Sequence, residues 1–458
     1  YIAGAPIVGS DMSQWPVLAH VNAVSLLDEG AEAVLDILQG TAAATGVLLA
    51  VHGFNPEVMD RGRTWPGHGP KGGSGSLGGL FAASAPDAYD GTGLGSPRVR
   101  EAPYASFDAL AHTNKVAHAR GLDVYLYILE SAGTGGYQRN VSGWPRVLEI
   151  DIAGRRGLLP CVNHPDYRAW KLALFEDLYK NHDFKGLLWG VERWGPLHTA
   201  LAGVCPSCFC THCATVASRE GLDWRRVREG YTALWQTVQV SGGSFLKLIL
   251  QHPELLAWEW QWTRAYLSLH RELYGTAKWL APDRTFGLGL WHYWFINPIL
   301  RVEWDMAEFA ASADFIRPIL YHVPEGPRVA RYLSQLATTA ARGIETKALW
   351  EMMSQWLGLD LPPLTAVAKT GLPASFVGQG VRLVRSGCSE AAQILAGIGI
   401  DVFEDGLERA VTPDDVATAI SEAHAAGADG ITLARNYAEM RHENLSAAGD
   451  AVRRIRAG

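Results

Sequence analysis

No apolar run in this 458-residue chain approaches the roughly 20 residues that a membrane span needs. Charge is sparse as well: Asp, Glu, Lys and Arg make up 19%, and acids outnumber bases for a formal net charge of −7. A nucleic-acid binder would carry a basic stripe, so neither nucleic acid nor membrane is expected as a partner. Cysteine is scarce at six residues, and four of these crowd into one stretch, unlike a dispersed disulfide framework. Met does not open the chain, which begins at Tyr1 with no basic segment and no apolar segment behind it. Without a membrane-length apolar run the protein is expected to be soluble, cytoplasmic or exported after leader removal, with compartment and assembly with identical chains left open.

What is present points to a globular protein. Hydrophobic residues make up 48% of the chain, and Trp alone numbers 17. Many of these indoles belong in a core. An excess of Trp beside Tyr and His is also what sugar-binding clefts use, because aromatic faces stack on the C–H side of pyranose rings. Carbohydrate is the expected partner.

Short apolar segments alternate with amphipathic ones. Eight strands are predicted: GVLLAVHG (46–53), LDVYLYILE (122–130), KGLLWGVE (185–192), TFGLGLWH (285–292), FIRPILYH (315–322), TKALWEM (346–352), GIGIDVFE (397–404) and DGITLAR (429–435). Each is apolar nearly throughout, as in strands buried on both faces. Helical patterns such as AWKLALFEDLYK and DVATAISEAHAAG separate most of them. The alternation predicts an α/β fold, a (β/α)8 TIM barrel forming one catalytic domain over 1–458, with insertions at about 55–105 and 205–282. An open doubly wound sheet would need a glycine-rich phosphate loop after its first strand, where this chain has His52-Gly53-Phe54-Asn55-Pro56.

In such a barrel the C-terminal strand ends carry the chemistry. Here they carry His52, Glu130, Glu192, His292, His322, Glu351, Glu404 and Arg435, mostly carboxylates and imidazoles. Paired carboxylates suit glycosidic bond cleavage: one, kept protonated, donates to the leaving oxygen, and the other attacks the anomeric carbon or activates water. Glu192 suits the acid role because LLWGV precedes it and Trp189 and Trp194 flank it, and burial against indoles favours the protonated form. Its expected partner is Glu351, with Glu404 the rival; Glu130 is a third acid suited to substrate hydroxyls. Trp65, Trp189, Trp194, Trp291 and Trp350 are candidates for stacking, and His52, His292, His322, Arg435 and Tyr437 for hydroxyl contacts.

Cys205, Cys208, Cys210 and Cys213 give C-x2-C-x-C-x2-C. Four thiolates this close can wrap a tetrahedral Zn²⁺ at about 2.3 Å per bond, whereas disulfides in so tight a loop would be strained. A structural zinc is expected, with Cys161 able to replace one member.

A strand-end Glu followed by Trp-Gly and then by Cys-x-Cys-x2-Cys resembles the β-galactosidases of glycoside hydrolase family 42. The resemblance implies a (β/α)8 barrel of the retaining kind, with Glu192 as acid/base, Cys208, Cys210 and Cys213 as a zinc triplet, Cys205 or Cys161 as fourth ligand, and Glu351 on the nucleophile strand. The features also resemble glycosidase-like barrels of environmental bacteria. Two departures stand out. The family has Asn before its acid/base where this chain has Val191, and its acid/base ends the fourth strand, whereas Glu192 ends the third in the count above.

Two other functions compete: a non-hydrolytic carbohydrate-binding barrel, and a metal-dependent sugar lyase or isomerase built on His52, Glu130, His292 and His322.

Overall fold

The computed structural model describes residues 15–53, 68, 79–85, 87–100, 102, 104–131, 141–237, 243–388 and 392–458. Eight parallel strands close into a barrel: β1 (Val17–Asn22), β2 (Gly46–Ala50), β3 (Asp123–Ser131), β4 (Gly186–Glu192), β5 (Thr285–Leu290), β6 (Phe315–Pro318), β7 (Gln393–Gly399) and β8 (Gly430–Ala434). Each pairs with its neighbours in sequence, and β8 returns to β1 in the register Val17↔Ile431.

Seven of these strands were expected, most with ends shifted by a few residues. The eighth, β1, is VLAHVN, buried along its whole length. Its interior His20 and terminal Asn22 interrupt the apolar run and conceal it from a reading based on hydrophobicity. With β1 in place, Glu192 ends the fourth strand. The segment TKALWEM, expected as a strand, is instead part of the helix Thr346–Leu357. Leu349, Trp350, Met353 and Leu357 form its buried face, a helical spacing, and Gly358 closes it with φ 64°.

Of the helices, those that position the site are α1 (Pro165–Asn181), α2 (Thr211–Arg219), α3 (Trp224–Thr237), α4 (Glu254–Leu280), α5 (His322–Thr338), α6 (Thr346–Leu357) and α7 (Pro413–Ala425). Helix α7 opens on a capping box in which Thr412 and Asp415 satisfy each other's backbone amides, with Pro413 in the first turn. No helix among the described residues is long and apolar enough to cross a membrane.

Alternation along the strands sorts side chains between two cores. Leu18, Leu48, Leu188, Phe315 and Leu395, with Tyr125 and Tyr127, fill the barrel interior. Gly287 makes room for Phe315: a Cβ there would lie 2.2 Å from the ring. The opposite strand faces, including Leu187, Trp189 and Val191, pack against the helices. The insertion at 205–282 builds its own apolar cluster from Phe209, Cys213, Val227, Tyr231, Leu234 and Trp258. About half of the insertion at 55–105 lies outside the described residues.

Candidate active site

On β4, Leu188 faces the barrel interior, so Glu192 four residues on faces inward at the C-terminal end. Its carboxyl makes no hydrogen bond or ion pair with another described residue. Burial pushes its pKa above the ordinary value, opposed by the nearby charges of His292, Arg317, Arg328 and Arg435.

Those four groups are themselves held in place. Arg317 points inward from β6, where its Nε donates to Thr432 Oγ1 at 2.9 Å and its fork reaches the Tyr321 hydroxyl. His292 Nδ1 lies 2.7 Å from Glu325 Oε1, in the first turn of α5. Arg328, one turn further on, donates through Nε to Glu404 Oε2 at 2.7 Å, and Arg331 donates to Glu404 Oε1 at 2.6 Å. Burial alone would raise the Glu404 carboxyl, but these two guanidiniums outweigh it and hold it below its ordinary value. Arg435 makes a two-pronged pair with Glu439 at 3.0 and 2.8 Å.

Aromatic rings line one side. Trp194 meets Trp291 and Tyr293 at centroid distances of 4.8 and 4.4 Å and stacks on Tyr332 at 5.9 Å. Trp291 also packs with Tyr321, Val402 and Ala434 at the barrel mouth.

The structure therefore brings together Glu192, Trp194, Trp291, His292, Glu404 and Arg435 from the expected set. Glu404 arrives differently from the expectation: β7 ends at Gly399, so the residue sits in the loop beyond, three strands round from Glu192.

Other expected members lie elsewhere. Glu351 is on the exposed face of α6, 3.8 Å from Lys347 Nζ and with 60% of its side chain exposed, so it is no partner for Glu192. Glu130 points out of the barrel, because Tyr127 and Leu129 point in; it pairs with Lys171 of α1 and accepts a short bond from Tyr167. His52 belongs to that outer group: its Nε2 accepts from the Leu129 amide at 3.3 Å, and burial followed by the Lys171 charge lowers its pKa to about 3. His322 faces α7, 4.0 Å from Asp415, and burial lowers its pKa to about 4. Tyr437 donates to Glu29 at 3.0 Å. Trp189 stacks on His270 outside the barrel, Trp350 is buried under α6, and Trp65 lies outside the described residues. The four groups of a metal-dependent lyase do not converge.

Sequence reasoning missed Arg317, Glu325 and Arg328. Arg317 leaves a trace, a lone cation at an inward position of an otherwise apolar strand. Glu325 and Arg328 belong to a polar helix start that gives none.

The cysteine cluster differs by one member. Sγ atoms of Cys161, Cys208, Cys210 and Cys213 all lie within 4.8 Å of one another. Cys161 is 3.6 Å from both Cys213 and Cys210, close to the edge of about 3.8 Å of a tetrahedron with zinc–sulfur bonds. The Ile150 amide donates to Cys208 Sγ at 3.4 Å and Asn163 Nδ2 to Cys213 Sγ at 3.5 Å, the kind of support that thiolates accept. Cys205 stays outside, against Asp151 and Arg155. This donor set fits a structural zinc.

A second buried group, His198 with Glu259 and Glu303, fits a metal poorly. His198 Nε2 is 3.1 Å from Glu303 and 4.0 Å from Glu259. Asn297 Oδ1 caps a helix by accepting from the Ile299 and Leu300 amides, so its Nδ2 is the donor facing His198 Nδ1 at 3.5 Å. That leaves the hydrogen on Nε2, where an ion would need a lone pair. Burial, with each other's charge in the case of Glu259, pushes both carboxyls up to about 8.

No protein-family model and no curated protein sequence matches the chain. Solved structures resemble it in fold. A β-galactosidase of the haloarchaeon Halorubrum lacusprofundi superposes with TM-score 0.55 at 12% identity, over 96% of this chain and 58% of its own. The PgaB glycoside hydrolase domain of Bordetella bronchiseptica gives 0.53 at 12%, over 92% and 93%. Alpha-L-fucosidase isoenzyme 2 of Paenibacillus thiaminolyticus gives 0.53 at 11%, over 96% and 49%. The chain thus spans about half the fucosidase and well under two thirds of the β-galactosidase. At these identities the likeness is one of fold: a (β/α)8 barrel shared with glycoside hydrolases.

Proposed function

We propose that the chain is a glycoside hydrolase in which Glu192 is the general acid/base and Glu404 the nucleophile of a retaining double displacement. One arrangement carries this reading: Glu192 ends β4 facing into the barrel, Glu404 follows β7 in the grip of Arg328 and Arg331, and the Arg328 charge acts on both carboxyls. Glu192, half-buried and without a hydrogen bond or ion pair to any described residue, favours the protonated form that a departing glycosidic oxygen needs. Glu404, gripped by Arg328 and Arg331, favours the ionised form that attacks an anomeric carbon or activates a water. Trp194, Trp291 and Tyr293 offer faces on which a sugar ring stacks.

In the first step Glu192 gives its proton to the leaving oxygen as Glu404 bonds to the anomeric carbon. In the second, Glu192, now ionised, takes a proton from the water that releases the sugar. The likeness in fold to barrels of glycoside hydrolases supports the class, and no particular sugar or linkage is carried over from them. We further propose a structural zinc at Cys161, Cys208, Cys210 and Cys213, which ties the insertion to the barrel.

Turnover of a panel of aryl glycosides tests the reading. Glu192→Gln and Glu404→Gln should each lower kcat by a factor of about 10² or more, the usual worth of positioned acid–base chemistry. A 2-fluoro glycoside that labels Glu404 supports the nucleophile; binding without turnover by the unaltered chain points instead to a carbohydrate-binding barrel.

A further inference from the structure

Glu192 and Arg193 are consecutive, and alternation at the end of β4 sends one into the barrel and the other out of it. Arg193 is 4% exposed, an unusual depth for a guanidinium, and the glycosidase chemistry above makes no use of it. Its bonds run towards the cysteine cluster by two routes. Nη1 donates to the carbonyl of Pro160, the residue before Cys161, at 2.8 Å. Nη2 pairs with Glu149 Oε1 at 2.5 Å, and Glu149 Oε2 accepts at 2.9 Å from Ser207, the residue before Cys208. Both segments are also braced to the same stretch of chain: the Phe209 amide donates to Ile150 O at 2.7 Å and the Cys161 amide to Val147 O at 2.8 Å. The nitrogen that donates to Pro160 also donates to the Tyr266 hydroxyl of α4.

Both arms of Arg193 thus end one residue short of a cluster cysteine, on two chain segments 47 residues apart in sequence, Pro160 and Ser207. A metal that clamps Cys161 to Cys208 fixes the spacing between those segments, and with it the fork that holds Arg193. The backbone of Arg193 directly follows Glu192, the last residue of its strand. We propose that Arg193 is a positioning residue through which the four-cysteine cluster sets the place of the Glu192 carboxyl. This rests on the reading of Glu192 as the acid. A displacement of about 1 Å at a reacting group is enough to cost a hundredfold in rate, so a small slackening of the fork would matter.

Amide hydrogen exchange read by mass spectrometry tests the link without turnover, on the full chain loaded with zinc sulfate or stripped by a chelator. Stripping should speed exchange at the end of β4, residues 188–194, by about tenfold or more. Zinc-loaded Arg193→Met should show the same rise with its metal still bound, and Arg193→Lys, which keeps the charge but not the fork, a smaller one. Should Arg193→Met fail to fold, Ser207→Ala, which cuts one arm only, takes its place. In turnover, Arg193→Lys should keep its zinc and its KM, lose about tenfold in kcat, and shift the alkaline limb of the pH profile that reports Glu192.

The link is overturned if the chain takes up no zinc, if stripping loosens residues 147–161 and 205–213 while the end of β4 stays protected, or if zinc-loaded Arg193→Met exchanges like the unaltered chain. Exchange coupling in a chain that cleaves no glycoside leaves the link standing and removes the hydrolase reading. Full turnover in Arg193→Met beside a dead Glu192→Gln does the reverse.

Discussion

Arg328 donates to Glu404 through Nε at 2.7 Å, so the charge of this carboxylate is balanced from within the protein before any ligand arrives. Replacing Arg328 with Met removes the guanidinium that holds Glu404 below its ordinary pKa. A nucleophile must be ionised, so activity falls as pH drops through its pKa. The acid limb of kcat/KM should therefore move to higher pH in Arg328→Met, with kcat lower by about tenfold or more, whereas Glu192→Gln abolishes the alkaline limb. A pH–rate profile of the three proteins checks both.

Glu351 carries no chemistry in this structure. Its side chain is 60% exposed and its nearest cation is Lys347 in the same helix. Glu351→Gln should leave turnover unchanged and alter stability by no more than about 0.5 kcal/mol, as is usual for surface positions. Side-by-side melting curves and kcat values suffice.

The cysteine set makes a prediction that separates two neighbours in sequence. Cys161→Ser and Cys213→Ser should each lose bound zinc, while Cys205→Ser should retain one equivalent per chain, because Cys205 stands apart from the other four. Elemental analysis after desalting reads the outcome directly.

The carboxyls of Glu259 and Glu303 are pushed up to about 8 from a usual 4.5. A raised folded-state pKa means that the folded chain holds protons the unfolded chain has released. The stabilisation is complete below about pH 4.5, declines as pH rises, and is gone above about pH 8. Thermal midpoints should fall across that window, and Glu259→Gln, which stays neutral, should flatten the decline.

Much of the barrel was legible because parallel strands buried on both faces read as plain apolar runs, and GVLLA, GLLWGVE and GITLA could be nothing else. The misreadings were of opposite kinds. VLAHVN hid because the strand carries interior polar groups, and TKALWEM deceived because a short apolar run around Leu349 and Trp350 imitates a strand until the helical spacing of Leu349, Met353 and Leu357 is followed further. Glu192 was legible because an abrupt acid ends its run. Whether Glu130 faces in or out was not, since one residue of parity turns a mouth residue into the outer partner of Lys171. Cys161 was recognised only as a substitute for another ligand, because 44 residues separate it from Cys205 and nothing in the sequence folds them together.

The ring of Phe315, seated in the space left by Gly287 and surrounded by Leu18, Leu48, Leu188 and Leu395, stoppers the lower half of the cylinder. The barrel interior beneath Glu192 is therefore filled with side chains and is no through-pore. In the proposed hydrolase, spent sugar has to back out along the path by which the next molecule comes in, so the two contend for the same threshold and slow departure would throttle fresh arrivals.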